Sequence, residues 1–280
     1  MLDLLTGIRD WWLAGLFGLL IGSFLNVVIH RLPMMLEQRW ARECAELGGQ
    51  ELPEAPLDLA QPRSCCPSCG TPIRWYQNIP LLSFALLRGR CASCRSPISW
   101  RYPLVEALTG ALFAWVVMRH GSGMAGLAAC ALAAALVALA FIDWDTTLLP
   151  DDITLPLIWS GLIAAELGWT GASLADALWG AVAGYLSLWL VNRGYALVRH
   201  EDGMGNGDFK LLAALGAWFG WQALLPILLL ASVSGAVVGI VLKLAGQLRD
   251  GRYVPFGPFL VLGGFWALLF GPDFLQWIQP

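Results

Sequence analysis

Charged side chains are scarce in this chain of 280 residues: Asp, Glu, Lys and Arg make up 13%, and apolar residues make up 58%. An average soluble domain carries roughly 25% charged residues. A soluble protein of this length could not remove so much apolar surface from water. A lipid-facing protein does not need to, because the bilayer is its solvent. The composition therefore excludes an ordinary soluble domain and indicates a membrane protein.

Several common motifs are also missing. The three histidines, His30, His120 and His200, are scattered, and neither the HExxH motif of zinc proteases nor the GxSxG elbow of serine hydrolases occurs. There is no Rossmann fingerprint, and a net charge of −3 gives no reason to expect a nucleic-acid partner. The first apolar stretch lacks a small-residue cleavage site, so we expect a retained helix rather than a signal peptide. No internal repeat is evident.

What the chain does contain is a series of apolar runs. A membrane-crossing helix needs about 20 apolar residues, and two of the runs are shorter than that. The pattern predicts an all-α polytopic membrane protein with about eight transmembrane helices. The runs cover residues 11–31, 104–119, 124–142, 153–168, 176–198, 208–222, 224–244 and 257–272.

One long polar insertion interrupts this series. It divides the chain into a first transmembrane helix (1–32), an insertion (33–102) and a transmembrane core (103–280). With eight spans and the N-terminus outside, the insertion and the shorter loops rich in Arg and Lys all lie in the cytosol. This arrangement follows the rule that cytosolic loops carry the positive charge. We therefore expect a small cytosolic domain inserted after the first span.

Two CxxC pairs lie in the insertion, separated by 21 residues. They supply four thiolates, Cys66, Cys69, Cys91 and Cys94, which is the ligand set of a closed tetrahedral structural zinc site. Cys65 is adjacent and could be a ligand instead, but Cys66 gives the CxxC spacing. The alternative is a set of cysteines without metal, and disulfides are not expected in a cytosolic loop.

Acidic residues beside the apolar runs are the strongest candidates for catalysis. Asp143 and Asp145 end one run, and Asp151 and Asp152 precede the next. Ionisable groups at membrane depth are costly and are usually functional. The alternative is that these acids are interfacial, with Asp152 capping the following helix.

Another acid, Asp208, follows the glycine-rich segment Gly203-Met204-Gly205-Asn206-Gly207 and opens the next apolar run. The segment is either a sharp bend beside an active site or a flexible loop with Asp208 as a helix cap. Two aspartates brought together between helices suit peptide hydrolysis: one keeps a proton while the other activates water.

Four features, in order, resemble the type IV prepilin peptidase family: GSFLNVVIHRLP, the paired CxxC, IDWDTTLLPD and GMGNGDFKLLAALGAW. The Gly205-Asn206-Gly207-Asp208 element is similar to that of GxGD-type intramembrane aspartic proteases, and the CxxC insertion narrows the resemblance to the bacterial bifunctional branch. On the family pattern Asp143, not Asp145, is the first catalytic aspartate and Asp208 is the second.

The resemblance implies an enzyme of the bacterial inner membrane with its active site facing the cytosol. It would cleave the short basic leader of type IV prepilins and pseudopilins, the subunits of type IV pili and type II secretion systems. It would then N-methylate the newly exposed first residue with S-adenosylmethionine.

No sequence motif identifies the binding site for that methyl donor. The candidates are Asn26 in the GSFLN segment and Gly89 before the second CxxC pair. Asn26 either bonds substrate or bonds another helix, and Gly89 can equally be a turn residue. Two other functions stay open: a non-enzymatic membrane transporter with a zinc-stabilised loop, whose halves should show internal symmetry, and a peptidase without methyltransferase activity.

Overall fold

The computed structural model describes residues 2–49, 57–201, 203–246 and 254–271. Regular structure in these ranges is helical, and the chain divides into two compact units, residues 1–115 and 116–280. The α-helices of the described residues are α1 (Leu2–Gly48), α2 (Leu82–Leu86), α3 (Arg101–His120), α4 (Met124–Thr146), α5 (Asp151–Glu166), α6 (Leu174–Arg199), α7 (Asn206–Phe219), α8 (Leu224–Leu244) and α9 (Gly257–Phe270).

A helix lies at each of the eight apolar runs, but only four stretches are long and apolar enough to cross a membrane by themselves. These findings identify a multi-pass membrane protein with four candidate spans, and the count of eight stays a prediction. The four stretches are Asp10–Gly48, Met124–Thr146, Leu174–Arg199 and Trp221–Leu244, and α9 is a shorter apolar helix.

The first helix is longer than the sequence predicted. It continues through Pro33, which removes one backbone donor, and ends at Gly48. The residues after Pro33 are mostly strong helix formers such as Leu, Glu, Gln and Arg, and they carry the helix on. Gly49, with φ +64°, then ends the helix. The expected end of the first transmembrane helix at residue 32 therefore falls within a continuous helix.

In the first unit, α1 and α3 approach each other through glycines. A Cβ added to Gly18 would lie 2.9 Å from the Gly110 Cα, and a Cβ added to Gly22 would lie 2.7 Å from the Glu106 Cα. Small residues spaced in this way let helix backbones pack closely where lipid provides no hydrophobic drive.

In the second unit, α7 lies at the centre, because every residue from Asp208 to Trp218 except Lys210 is buried. A Cβ on Gly180 of α6 would overlap the carbonyl of Gly216 on α7, so these helices are in backbone contact. The indole Nε1 of Trp218 donates to the Leu157 carbonyl of α5 at 2.9 Å. Helices on several sides therefore cover α7, although its 14 residues would extend only about 21 Å.

Candidate active site and metal centre

Asp143 lies in the last turns of α4 and is only 4% exposed. The helix ends a turn later, where Thr147 adopts a left-handed conformation and its N–H donates to the Asp143 backbone carbonyl at 2.8 Å. The backbone N–H of Gly257, at the start of α9, hydrogen-bonds the Asp143 carboxyl group. One oxygen, Oδ2, is buried with no hydrogen-bond partner. A buried carboxylate oxygen without a partner is costly and is typical of functional sites.

Asp208 lies in the first turn of α7 and is 8% exposed. Its N–H donates to the carbonyl of Gly205, which is the helix N-cap. Asp208 is therefore the third helical residue and not the cap. Its Oδ1 is also buried without a hydrogen-bond partner. The Asp143 charge acts on Asp208 electrostatically, so the fold brings together the two carboxyl groups that the sequence proposed.

The glycine-rich segment before α7 is held by specific contacts. The side-chain oxygen of Asn192, on α6, accepts hydrogen bonds from the N–H groups of Gly203 at 2.9 Å and Met204 at 3.1 Å. A Cβ added to Gly207 would lie only 2.7 Å from the Cβ of Leu149. Gly207 is therefore required by close packing beside Asp208 rather than by chain flexibility.

The other candidate acids lie on the surface of the same unit. Asp145, Asp151 and Asp152 are exposed. Asp151 forms a two-pronged ion pair with Lys210 of α7, at 2.6 and 2.8 Å. The expectation that Asp152 caps the helix is wrong: Pro150 is the N-cap of α5, and both acids occupy its first turn, where negative charge suits the helix dipole.

The four predicted metal ligands come together in the first unit. The Sγ atoms of Cys66, Cys69, Cys91 and Cys94 all lie within 4.8 Å of one another, and those of Cys66 and Cys94 are 3.8 Å apart. A tetrahedral zinc ion with Zn–S bonds of about 2.3 Å requires sulfur atoms about 3.8 Å apart. Cys65 is exposed and outside the cluster, so the cluster contains the cysteine that the CxxC spacing favoured, and its ligation of a metal stays a prediction.

Hydrogen-bond donors favour the thiolate form of two of these cysteines, Cys66 and Cys94. The N–H groups of Ser68 and Cys69 lower the pKa of the Cys66 thiol to about 6. The pKa of the Cys94 thiol is lowered mainly by the hydroxyl of Ser96 and, to a smaller extent, by the Ser96 backbone N–H. Metal ligation requires deprotonated cysteine, so the residues present suit a metal ion.

The two halves of the cluster are copies of one short pattern, contrary to the expectation of no internal repeat. Residues 66–75 and 91–100 share Cys-x-Ser-Cys-x-x-Pro-Ile-x-Trp. The backbone bonding repeats too: Cys66 N–H donates to Thr71 at 3.0 Å, and Cys91 N–H donates to Ser96 at 2.8 Å. We call these two segments the knuckles. The similarity escapes a scan for long repeats because each copy is only ten residues long.

The two candidates for the methyl-donor site have separate partners in the first unit. The Asn26 side-chain amide donates to the Tyr102 carbonyl of α3 at 3.1 Å, so it joins two helices. Gly89 has φ +67° and lies against the Phe84 ring, as a turn residue would. The structure gives each residue a packing role, and their involvement in methyl transfer stays a prediction.

Two further candidate residues were not predicted from the sequence. Gly257, which contacts Asp143, lies more than 100 positions away in sequence, and only its place in a short Pro-Phe-Gly-Pro segment marks it. Glu106 is 8% exposed on α3. A lone acid early in an apolar run was the available signal for it.

Two family models match consecutive parts of the chain. Residues 16–120 match the bacterial peptidase A24 N-terminal domain, and residues 130–240 match the type IV leader peptidase family. The chain belongs to the type IV leader peptidase family.

Relatives named prepilin leader peptidase/N-methyltransferase are similar to this chain over nearly its whole length. The protein of Aeromonas hydrophila is 52% identical over 268 residues, which cover 95% of this chain and 92% of the relative. That of Burkholderia pseudomallei strain 1026b is 49% identical, covering 93% and 85%. That of Pseudomonas aeruginosa strain PAO1 is 49% identical, covering 91% and 89%. No solved structure matches the chain.

Proposed function

We propose that this chain is a bifunctional enzyme of the bacterial inner membrane that cleaves the leader of type IV prepilins and pseudopilins and N-methylates the new first residue. The observation that carries the proposal is the pair of buried carboxyl groups. Asp143 and Asp208 come from distant segments, interact electrostatically, and each keep one buried oxygen without a hydrogen-bond partner. The chain's near relatives carry the matching name.

The two carboxyl groups divide the work of hydrolysis. Like charges in close proximity do not both ionise readily, so the pair shares one proton. The ionised partner takes a proton from a water molecule, whose oxygen attacks the scissile carbonyl carbon. The protonated partner donates to the carbonyl oxygen. Collapse of the resulting tetrahedral intermediate expels the amine, which becomes the N-terminus of the mature pilin.

The proposal places this chemistry at the cytosolic face of the membrane. Eight spans with the N-terminus outside put the Arg-rich insertion and the short basic loops on the cytosolic side. The position of Asp143 near the end of α4 suits cleavage close to a membrane surface. The substrate's basic leader would remain in water, and its apolar helix would remain in lipid.

Zinc is proposed as a structural ion held by Cys66, Cys69, Cys91 and Cys94. Four thiolates close the coordination shell and leave no position for a substrate. The ion would join the two knuckles, which otherwise share few apolar contacts, since their residues are mostly exposed. Its contribution is therefore to folding of the insertion.

The second reaction is methylation of the exposed amine, for which S-adenosylmethionine supplies the methyl group. Asn26 and Gly89 remain the residues proposed from the sequence for that site. Assaying the purified protein with a prepilin peptide and labelled methyl donor separates the alternatives. A transporter would neither cleave nor methylate, and a monofunctional peptidase would only cleave.

The dyad is tested by Asp143→Asn and Asp208→Asn, which keep side-chain shape but remove the ionisable group. Each should lower cleavage of a prepilin peptide roughly 10³-fold or more. Asp145→Asn is the matched control, because Asp145 lies two residues from Asp143 but is exposed; it should change cleavage only slightly. Near-normal turnover in either dyad variant would remove that aspartate from the mechanism.

A further inference from the structure

The first unit contains another buried carboxyl group, which hydrolysis at the aspartate pair does not use. Glu106 of α3 is 8% exposed, and Gly22 of α1 packs directly against its backbone. Its Oε2 accepts a hydrogen bond from the Leu81 N–H at 2.9 Å, and the Ser23 side chain is its other partner. Both partners are neutral. The ion pair given for the described residues joins Lys210 and Asp151 and does not involve Glu106.

Further polar groups lie one helical turn from this carboxyl group. Asn26 is one turn after Gly22 on α1, and its amide donates to Tyr102, one turn before Glu106 on α3. Ser23 and Asn26 both belong to the GSFLN segment. The segment therefore directs its two polar side chains at the same stretch of α3, beside the close contact that Gly22 makes with Glu106.

A desolvated carboxylate held only by neutral donors attracts a cation strongly, because water does not screen its charge. Leader cleavage produces a suitable cation, the α-ammonium group of the mature pilin. An ammonium group has no lone pair, so it must lose a proton before it can be methylated. A carboxylate in contact with it can accept that proton.

We propose that Glu106 binds the α-ammonium group of the processed pilin and accepts its proton, an inference that rests on the methyltransferase activity proposed above. The freed nitrogen lone pair then attacks the methyl carbon of S-adenosylmethionine. A nitrogen–carbon bond forms as the sulfur–carbon bond breaks, and the electron pair of that bond leaves with sulfur. The product is the secondary ammonium and S-adenosylhomocysteine, and the proton on Glu106 passes to water.

The Leu81 contact identifies the carboxyl oxygen that the ligand would take. Leu81 precedes α2 with φ +56° and ψ −45°, a backbone conformation that is strained for leucine. Its N–H occupies the position on Oε2 that an ammonium N–H would take.

The groups that contact Glu106 among the described residues carry no charge. On α1 these are Gly22 and Ser23, and before α2 it is the Leu81 N–H. The nearest charged residue on its own helix is Arg101, more than one turn away. Arg31 of α1 is turned to the carbonyls of residues 58, 59 and 62.

The first test measures binding without chemistry. The probes are two peptides matching the apolar start of a mature pilin, one with a free N-terminal Phe and one N-acetylated, titrated into the full-length protein in nanodiscs. The unmodified protein should prefer the free amine at least tenfold. Glu106→Gln, which keeps the shape and an acceptor oxygen, should lose the preference, and Glu106→Asp should regain part of it. An unchanged preference in Glu106→Gln overturns the proposal.

The second test follows methylation against pH. At pH 7 we expect Glu106→Gln to methylate the free-amine peptide roughly 10²-fold more slowly. The deficit should shrink roughly tenfold by pH 9, because an amine with a pKa of about 8 then loses its proton unaided. The matched control is Thr109→Val on the same helix, where the buried hydroxyl donates only to the Val105 carbonyl; it should methylate normally.

The results of these tests distinguish a role for Glu106 in methylation from a structural role. A Glu106→Gln deficit that is equal at every pH, or is matched by an equal loss of prepilin cleavage, identifies a structural residue and overturns the proposal. Absence of methylation by the unmodified protein overturns the proposed methyltransferase activity, and the role of Glu106 with it. Normal cleavage together with a pH-dependent methylation deficit supports both.

Discussion

Gly257 shows how little space the buried aspartate leaves. A Cβ built at this residue would lie 2.5 Å from Asp143 Oδ2, closer than van der Waals contact allows. The glycine therefore lets the start of α9 supply a backbone N–H to the carboxyl group. The geometry of the proposed dyad depends on a residue that carries no functional group.

Gly257→Ala should consequently displace the Asp143 carboxyl group and lower peptide cleavage roughly 10²-fold, the cost of about 1 Å of misplacement in an active site. Gly239→Ala is the control, because a Cβ there meets nothing within 4 Å. Both variants should reach the membrane in normal amounts. Full activity of Gly257→Ala in the peptide assay would show that the Asp143 position tolerates the methyl group.

Arg95 occupies the position in the second knuckle that Gly70 occupies in the first. Both have left-handed backbones, with φ +63° and +68°, which costs roughly 1 kcal/mol or more for a residue with a Cβ. Arg95→Gly should therefore stabilise the metal-bound form and raise metal affinity about fivefold. Gly70→Ala should lower it similarly. Competition with a chromophoric chelator measures both, and equal affinities would indicate that the strain is absent or relieved.

At the scale of helices, contact between α6 and α7 holds the second aspartate in place. Gly180 contacts the backbone of Gly216, and a Cβ added to Gly184 would lie 2.7 Å from the Leu212 carbonyl oxygen. Gly194, on the same α6, meets nothing within 4 Å. The helix thus carries glycines that packing requires and one that it does not.

Gly180→Ala should destabilise the protein by about 1–3 kcal/mol, because the added methyl group forces the helices apart. Gly194→Ala should be neutral or stabilising by roughly 0.5–1 kcal/mol, since alanine favours the helix where space exists. Thermal unfolding in detergent compares the two, with cleavage as a second readout. Equal unfolding temperatures would argue against close packing of α6 on α7.

The sequence predicted the position of a helix where a local pattern determines it. It did not predict features that depend on tertiary contacts. Apolar length located each helical run, and CxxC spacing located the cysteine cluster. The sequence did not reveal that α1 continues through Pro33, because proline within a helix is tolerated only case by case. Nor could it place Gly257 beside Asp143, since no local pattern encodes contact between segments so far apart.

At the scale of the whole chain, the two compact units carry different chemistry. The cysteine cluster, Asn26 and Glu106 lie in residues 1–115, and both aspartates lie in residues 116–280. Each unit has its own buried polar groups and its own glycine-mediated helix contacts. Loss of metal should therefore act mainly on the first unit.

Removing metal with a strong chelator should expose residues 64–98 to proteolysis, because the knuckles have few buried apolar residues to hold them together. The helices of the second unit should stay protected. Limited proteolysis with mass-spectrometric mapping, with and without added zinc, measures this. Protection of residues 64–98 that is the same in both states would show that the cluster does not depend on metal.

The matched knuckles fit an origin by tandem duplication. Each supplies two of four sulfur atoms in the same ten-residue pattern, so neither can complete a tetrahedron alone. Two identical short peptides could enclose an ion as a symmetric pair, and fusing their coding segments in tandem would make that partnership permanent. Gly70 and Arg95 would then descend from one ancestral position and would differ in how easily each adopts its left-handed backbone.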